Sequence, residues 1–177
     1  MPKSVSEYLL LEHQELSQLL NKLSQELKSL PVTQNAPQAF ERLEKSSRKI
    51  SQTLHMHLEE EEQVLYPALE EHVEGIKTTL ERMRHELDAG EAVEQAFFDC
   101  LKRMAKAGGS RAEVIRSGRS YIQWVRGHLL HENGRLLPLV ERRLDPDTQK
   151  SVRRAMQELS HEATARVSES FAQGDAS

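Results

Sequence analysis

Disulfides, dense turns and membrane spans all lack material in this chain. Its 177 residues hold one cysteine, Cys100, which excludes an intrachain disulfide and fits a reducing cytoplasm. With only 8 Gly and 6 Pro, a sandwich or barrel of many short strands has too few turn residues. No apolar run approaches the roughly 18 residues that a membrane span needs. The opening stretch MPKSVSEYLLLEHQ returns to charge after a short run of leucines, which is unlike a signal peptide. Positive charge is not in excess either. The net charge is −4 and no basic stripe appears, so nucleic acid is not the expected partner.

What the chain has is a helix-forming inventory. Glu, Leu, Lys, Arg, Gln and Ala are frequent, 37% of residues are hydrophobic and 29% are charged, as in a soluble globular protein. The whole of 1–177 reads as one domain with no interdomain linker. The pattern predicts five helices and no strand. The first runs from about Val5 to Leu30, with Ser4 as N-cap and Glu7 completing a capping box. PVTQNAP (31–37) breaks it. The second runs from about Gln38 to Val73, with Gly75 just past its end, and the third continues to about Ala107. After GGS (108–110) the fourth runs from Ser110 to about Leu144. DPD (145–147) precedes a last helix over about 148–171, and AQGDAS is expected to fray. Short connections between long helices imply an up-down-up-down antiparallel four-helix bundle over about 5–144, with an additional C-terminal helix.

Each of the first four helices carries a histidine on its expected apolar stripe. His13 sits among Leu9, Leu16, Leu20, Leu23 and Leu27, and His57 among Leu43, Ile50, Leu54, Val64, Leu65 and Ala68. His85 shares a stripe with Ala89, Ala92, Ala96, Phe97 and Leu101, and His128 with Tyr121, Trp124, Val125, Leu136 and Leu139. The second and fourth helices repeat one block: HMHLEEEEQVLYPAL (55–69) and RGHLLHENGRLLPLV (126–140). In both, a Glu follows the His by 4 residues and a Pro follows it by 10, giving His57, Glu61 and Pro67, then His128, Glu132 and Pro138. The prolines mark kinks or the start of a looser last segment.

Antiparallel packing predicts the height of each residue. His13 and His57 lie about equally far from the break at 31–37. The His57–Glu61 pair and His85 lie about equally far from the break before Gly75, as do His85 and His128 from Gly108 and Gly109. One layer of four imidazoles and two carboxylates results. A lone core histidine is usually just hydrogen-bonded, and a run such as EEEE (59–62) is usually a solvated face. The conjunction is what points to metal. Buried carboxylates beside neutral imidazoles need cations, and two divalent ions about 3.5–4 Å apart suit two bridging carboxylates. Imidazole with carboxylate suits iron, and zinc or manganese less distinctively. His72 rivals His85 because it shares a stripe with Ile76, Leu80, Met83 and Leu87, but it sits at the wrong height, near the turn. His55 and His131 fall off the stripes, and His161 has no partner spacing. Tyr66, Tyr121 and Trp124 read as packing around the site.

EHQEL (12–16), HLEEEEQVLYPAL (57–69), RHELD (84–88) and HLLHENGRLLPLV (128–140) together resemble a hemerythrin-like, HHE cation-binding domain. The resemblance implies a four-helix bundle around a non-haem di-iron centre, with His13, His57, Glu61, His85, His128 and Glu132 as ligands. Glu61 and Glu132 would bridge, beside an oxo or hydroxo bridge. Oxygen-carrying members have a second third-helix His where this chain has Ala89, and a His-x4-Asp where it has Asn133. It is more similar to the four-His, two-Glu branch. That branch implies binding or sensing of a small ligand (dioxygen, nitric oxide or peroxide) in oxidative or nitrosative stress or iron homeostasis. The alternatives are a di-iron enzyme of ferroxidase or peroxidase type, iron donation in repair of iron centres, and a metal that only staples the bundle. The last helix has its own stripe, Val152, Met156, Leu159 and Ala163, which either packs on the bundle or offers a homodimer or partner surface.

Overall fold

A computed structural model describes residues 2–30, 37–106 and 109–174, and their side chains except at 37, 164 and 166–174. Those residues form helices, with no strand among them. The helices are α1 (Val5–Lys28), α2 (Pro37–Glu60), α3 (Tyr66–His72), α4 (Lys77–Ala105), α5 (Arg111–His131), α6 (Leu137–Arg143) and α7 (Pro146–Gly174). A π-helical turn, Glu61–Leu65, joins α2 to α3, and another, Glu132–Leu136, joins α5 to α6. The four long units α1, α2–α3, α4 and α5–α6 make the expected bundle. The breaks at 31–36, at 107–108 and in the tail beyond 174 lie outside the described residues.

Local signals explain the ends. Ser4 Oγ accepts the Glu7 N–H at 3.1 Å, and Glu7 bonds the Lys3 N–H rather than closing a box with Ser4. Ser110 and Glu113 form the reciprocal capping box at the start of α5. After α3 the chain turns through Gly75 at φ 76°, a left-handed conformation that favours glycine.

The π turns explain how proline sits inside the second and fourth units. A proline has no N–H to give the carbonyl four residues back, and its ring crowds that carbonyl. Immediately before each proline the ladder shifts to a five-residue step: Tyr66 N–H bonds Glu61 O, and Leu137 N–H bonds Glu132 O. The chain therefore neither breaks nor frays at Pro67 and Pro138. The extra residue also slips the apolar phase. Leu65, Tyr66 and Leu69, then Leu136, Leu137 and Val140, become buried, whereas Val64, Ala68 and Leu139 are only partly so.

Among the described residues, two apolar clusters fill the interior. One gathers Leu16, Leu20, Leu23, Leu27, Ile50, Leu54, Phe97, Tyr121 and Val125. The other gathers Val5, Leu9, Leu65, Tyr66, Leu69, Leu80, Leu136, Val140, Val152 and Met156. Histidines and carboxylates occupy the core positions between them in sequence: His13 on α1, His57 to Glu61 on the second unit, and His128 to Glu132 on the fourth. α7 packs on α1, α2 and the first π turn, with Val152, Met156 and Ala163 buried, so its stripe is covered by the bundle itself. No described helix is long and apolar enough to cross a membrane.

Candidate metal centre

Five buried side chains converge. His13 comes from α1, and His57 and Glu61 from α2 and its π turn; His128 and Glu132 come from α5 and its π turn. Donor atoms of His57, Glu61, His128 and Glu132 all lie within 4.8 Å of one another. Glu132 is the hub. Its Oε2 lies 3.1 Å from His13 Nε2 and 3.2 Å from His57 Nε2, and its Oε1 lies 2.7 Å from His128 Nε2. The i, i+4 spacing of each His–Glu pair puts both groups on one helix face, and the π turn then starts at the Glu itself.

A surrounding set of bonds orients these groups. His57 Nδ1–H donates to Glu12 Oε2 at 3.0 Å, and His13 Nδ1–H donates to Asn133 Oδ1 at 2.9 Å. Each bond leaves Nε2 pointing into the cluster, the arrangement that prepares an imidazole for a metal. Tyr66 O–H donates to Glu61 Oε2 at 3.2 Å. Tyr8 O–H donates to Glu60 Oε1 at 3.2 Å, just outside the cluster.

Electrostatics of the metal-free chain are lopsided. Burial, then the neighbouring Glu132, holds the Glu61 carboxyl well above its usual range. Burial works in the same direction on Glu132 but is outweighed by His128, His13 and His57, which hold it well below. Burial would lower His57, yet Glu61, Glu12 and Glu132 together raise it well above its ordinary value. Burial and Glu12 push Glu60 up to about 8. The metal-free cluster thus retains protons where a cation would otherwise balance the carboxylates. His13 Nε2, His128 Nε2, Glu61 Oε1 and Glu132 Oε1 are buried without an aligned hydrogen bond. Inward-facing imidazole and carboxylate atoms that crowd one another without aligned hydrogen bonds are what a metal would satisfy, so the residues present fit one.

The sequence over residues 4–140 matches the family model of the hemerythrin HHE cation binding domain. The chain belongs to that family. No curated protein and no solved structure gives a significant match.

Within this hemerythrin domain, His85 is the sequence-derived ligand that the structure does not bring to the cluster. Its side chain is 88% exposed, 3.4 Å from Asp88. The physical reason is the face that α4 buries: Leu80, Met83, Gly90, Glu94, Phe97 and Leu101 point inward, while Ala89, Ala92 and Ala96 are exposed. The small alanines imitate an apolar stripe beside His85. The true stripe contains a glycine and a glutamate, which disguise it. His72, the rival, is also exposed, with Nδ1 bonded to Ala68 O. His55 and His131 are at the surface, bonded to Glu94 and Glu86.

Sequence reasoning missed Glu12, Asn133 and Glu60, and it treated Tyr66 as packing only. Adjacency was the available signal: Glu12 precedes His13, Asn133 follows Glu132, and Glu60 precedes Glu61. Beside the cluster, the Trp124 ring stacks on His128 with centroids 6.4 Å apart and planes 16° apart. Gly90 of α4 makes room for that indole, since a Cβ there would lie 1.8 Å from Trp124 Cε2. Gly90→Ala should gain about 1 kcal/mol of helix propensity and lose more to overpacking, roughly 1–3 kcal/mol. The expected net result is a lower melting temperature with altered tryptophan emission. A higher melting temperature and an unchanged spectrum would show that the indole is not seated there.

Proposed function

We propose that the chain is a non-haem di-iron protein of the cytoplasm that binds or senses a small ligand: dioxygen, nitric oxide or a peroxide. The observation supporting this most is the sealed set of His13, His57, Glu61, His128 and Glu132, with both outer imidazole nitrogens of His13 and His57 already tied to oxygen acceptors. The three imidazoles would hold two irons and the two carboxylates would bridge them. When bound, the iron pair supplies reversible electron transfer and positions for an incoming ligand.

This chain's own residues do the rest. Glu12 and Asn133 keep His57 and His13 in the tautomer that offers Nε2. Tyr66 holds one oxygen of Glu61, so the other is directed to the centre. The apolar clusters on either side restrict bulk water and charged solutes. α4 contributes no donor to the cluster among its described residues; near His128 it provides the Gly90 notch that seats the Trp124 indole of α5. Fewer protein donors than six leave more positions for a ligand.

Metal analysis of protein purified without and with oxygen tests this, together with its optical spectrum before and after azide or nitric oxide. The expected result is about two irons per chain and a spectrum that shifts with the added ligand. One metal or none at saturation would sink the di-iron reading. Full loading with no response to any small ligand would leave the metal as a structural staple.

A further inference from the structure

A line of aromatic rings leads away from the metal centre, and the function above does not use it. His128 stacks on Trp124, with centroids 6.4 Å and planes 16° apart. Trp124 stacks on Tyr121 at 6.2 Å and 25°. The Tyr121 hydroxyl donates to Glu94 Oε1 at 3.0 Å, and Glu94 Oε2 lies 2.7 Å from His55 Nε2. Tyr121 is fully buried, whereas His55 opens onto a groove of about 430 Å³ also lined by Arg48, Glu91, Phe98 and Lys102.

We infer that Trp124 and Tyr121 form a one-electron relay from the metal centre, with Glu94 as the base that receives the Tyr121 proton. Ring-to-ring steps this short let single electrons tunnel quickly. An indole gives up an electron without needing a nearby base. A phenol is readily oxidised only if its proton has somewhere to go, and Glu94 is placed at the hydroxyl for that purpose. Glu94 is also held as a carboxylate: burial would raise its pKa, but bonds from His55, Ser51 and Tyr121 lower it. Tyr66 is the rival phenol, but its hydroxyl bonds Glu61, which belongs to the metal cluster, and its ring stacks on no other aromatic ring among the described residues. Phe97 stacks on Tyr121 at 5.6 Å, but a phenyl ring is too hard to oxidise, so the relay ends at Tyr121.

Iron held by His128 and its neighbours would pass two electrons to a peroxide, which with two protons becomes two waters, or one water and one alcohol. One electron then passes from Trp124 to the oxidised centre. A second passes from Tyr121 to the Trp124 radical cation, while the Tyr121 proton moves to Glu94. The phenoxyl radical left on Tyr121 is reduced by a one-electron donor such as an enediol or a thiol, and the proton returns from Glu94. The same sequence runs a second time with a second donor molecule, so that both electrons given to the peroxide are replaced. The relay thereby removes oxidising equivalents from a buried site whose ligands they would otherwise damage.

The oxidant rests on the di-iron reading; the relay itself can be tested without metal. The chain has one tryptophan and three tyrosines, so radicals are easy to assign. Pulse radiolysis of the metal-free protein with the azide radical oxidises Trp124 first. The tryptophan radical should decay, and a tyrosyl radical should grow, at one rate that is independent of protein concentration. Tyr121→Phe should abolish that growth, whereas Tyr66→Phe and Tyr8→Phe should not. Glu94→Gln should slow it about tenfold or more, as expected when a positioned base is lost. Circular dichroism matched to the parent chain checks that each variant folds. Decay that depends on concentration, or growth that survives Tyr121→Phe, would overturn the relay. In the iron-loaded protein, hydrogen peroxide should give a tyrosyl paramagnetic signal that Tyr121→Phe removes. Its absence despite full iron loading would refute the coupling to the centre. A chain that binds no iron would instead refute the di-iron reading and leave the radiolysis result standing.

Discussion

Glu132→Ala should weaken metal binding by more than roughly 100-fold, and His85→Ala should load as fully as the parent chain. The contrast follows from position. Glu132 is fully buried and meets the Nε2 atoms of His13, His57 and His128 within 3.2 Å. His85 lies 88% exposed on the far face of α4. For His85 to reach the cluster, α4 would have to roll over, bringing Leu80, Met83 and Phe97 into water. Each such side chain is worth about 1.5–3 kcal/mol when buried, so no single bond to a metal pays for the roll. Loss of a residue that only orients a ligand typically weakens metal binding by about 10–100-fold. Glu12→Ala, which frees His57 Nδ1, should fall in that range. Loss of the hub carboxylate should exceed roughly 100-fold. Competition with a chelator of known affinity measures all three. Glu132→Gln keeps the shape of the side chain and guards against a simple folding defect. If His85→Ala lost its metal while Glu132→Ala kept it, the cluster would be in the wrong place.

Much of this arrangement could be read from the sequence because it repeats. A His, a Glu and a Pro at matching offsets in two helices pointed to two of the three elements that carry the buried His/Glu cluster, and the break positions pointed to the antiparallel pairing. His13 followed from the leucines around it. What could not be read has two physical causes. The first is that periodicity reports apolar residues, and α4 buries a glycine and a glutamate. Gly90 is there to accept an indole, and Glu94 is there bonded to Tyr121 and His55. Neither looks like core, so the alanine face carrying His85 looked better than the face that is buried. The second is the π turn. Stepping at 3.6 residues past Glu61 and Glu132 predicts Ala68 and Leu139 inside, but one extra residue per turn brings in Tyr66, Leu69, Leu137 and Val140 instead. That slip is what aims the Tyr66 hydroxyl at Glu61. The prolines were the visible trace of it, since each needs a place where the ordinary ladder is already interrupted. Stripes on α1 and α7 contain no such interruption, and there every residue expected inside is buried apart from the half-buried Leu159, with Val5 and Ser6 buried besides at the start of α1.

Stripped of metal, the protein should lose stability as the pH rises from 5 to 8, and the gap between loaded and stripped melting temperatures should widen. Three raised groups at the cluster set the sign, and His55, raised by its bond to Glu94, acts in the same direction. Unfolded Glu61 and Glu60 release their protons near 4.5, but the folded chain retains them, at Glu60 up to about 8. Unfolded His57 releases its proton near 6.5, and the folded chain again keeps it beyond that. Above each reference value the folded state therefore holds more protons than the unfolded one, so stability falls with pH. The slope is about 1.4 kcal/mol per pH unit for each retained proton, or roughly 2–4 °C per kcal/mol for a chain of this size. Glu132 acts oppositely but elsewhere. Its lowered value contributes stability that is present above 4.5 and lost only as the pH falls further, so it does not offset the decline in the neutral range. Metal reverses the balance. It binds the deprotonated carboxylates and the Nε2 lone pairs, so it displaces the retained protons and competes with fewer of them at higher pH. Calorimetric melting of stripped and loaded protein at several pH values reads both arms. A stripped protein that grows more stable from pH 5 to 8, or a gap that stays constant, would mean that these carboxylates and imidazoles are not the groups a metal neutralises.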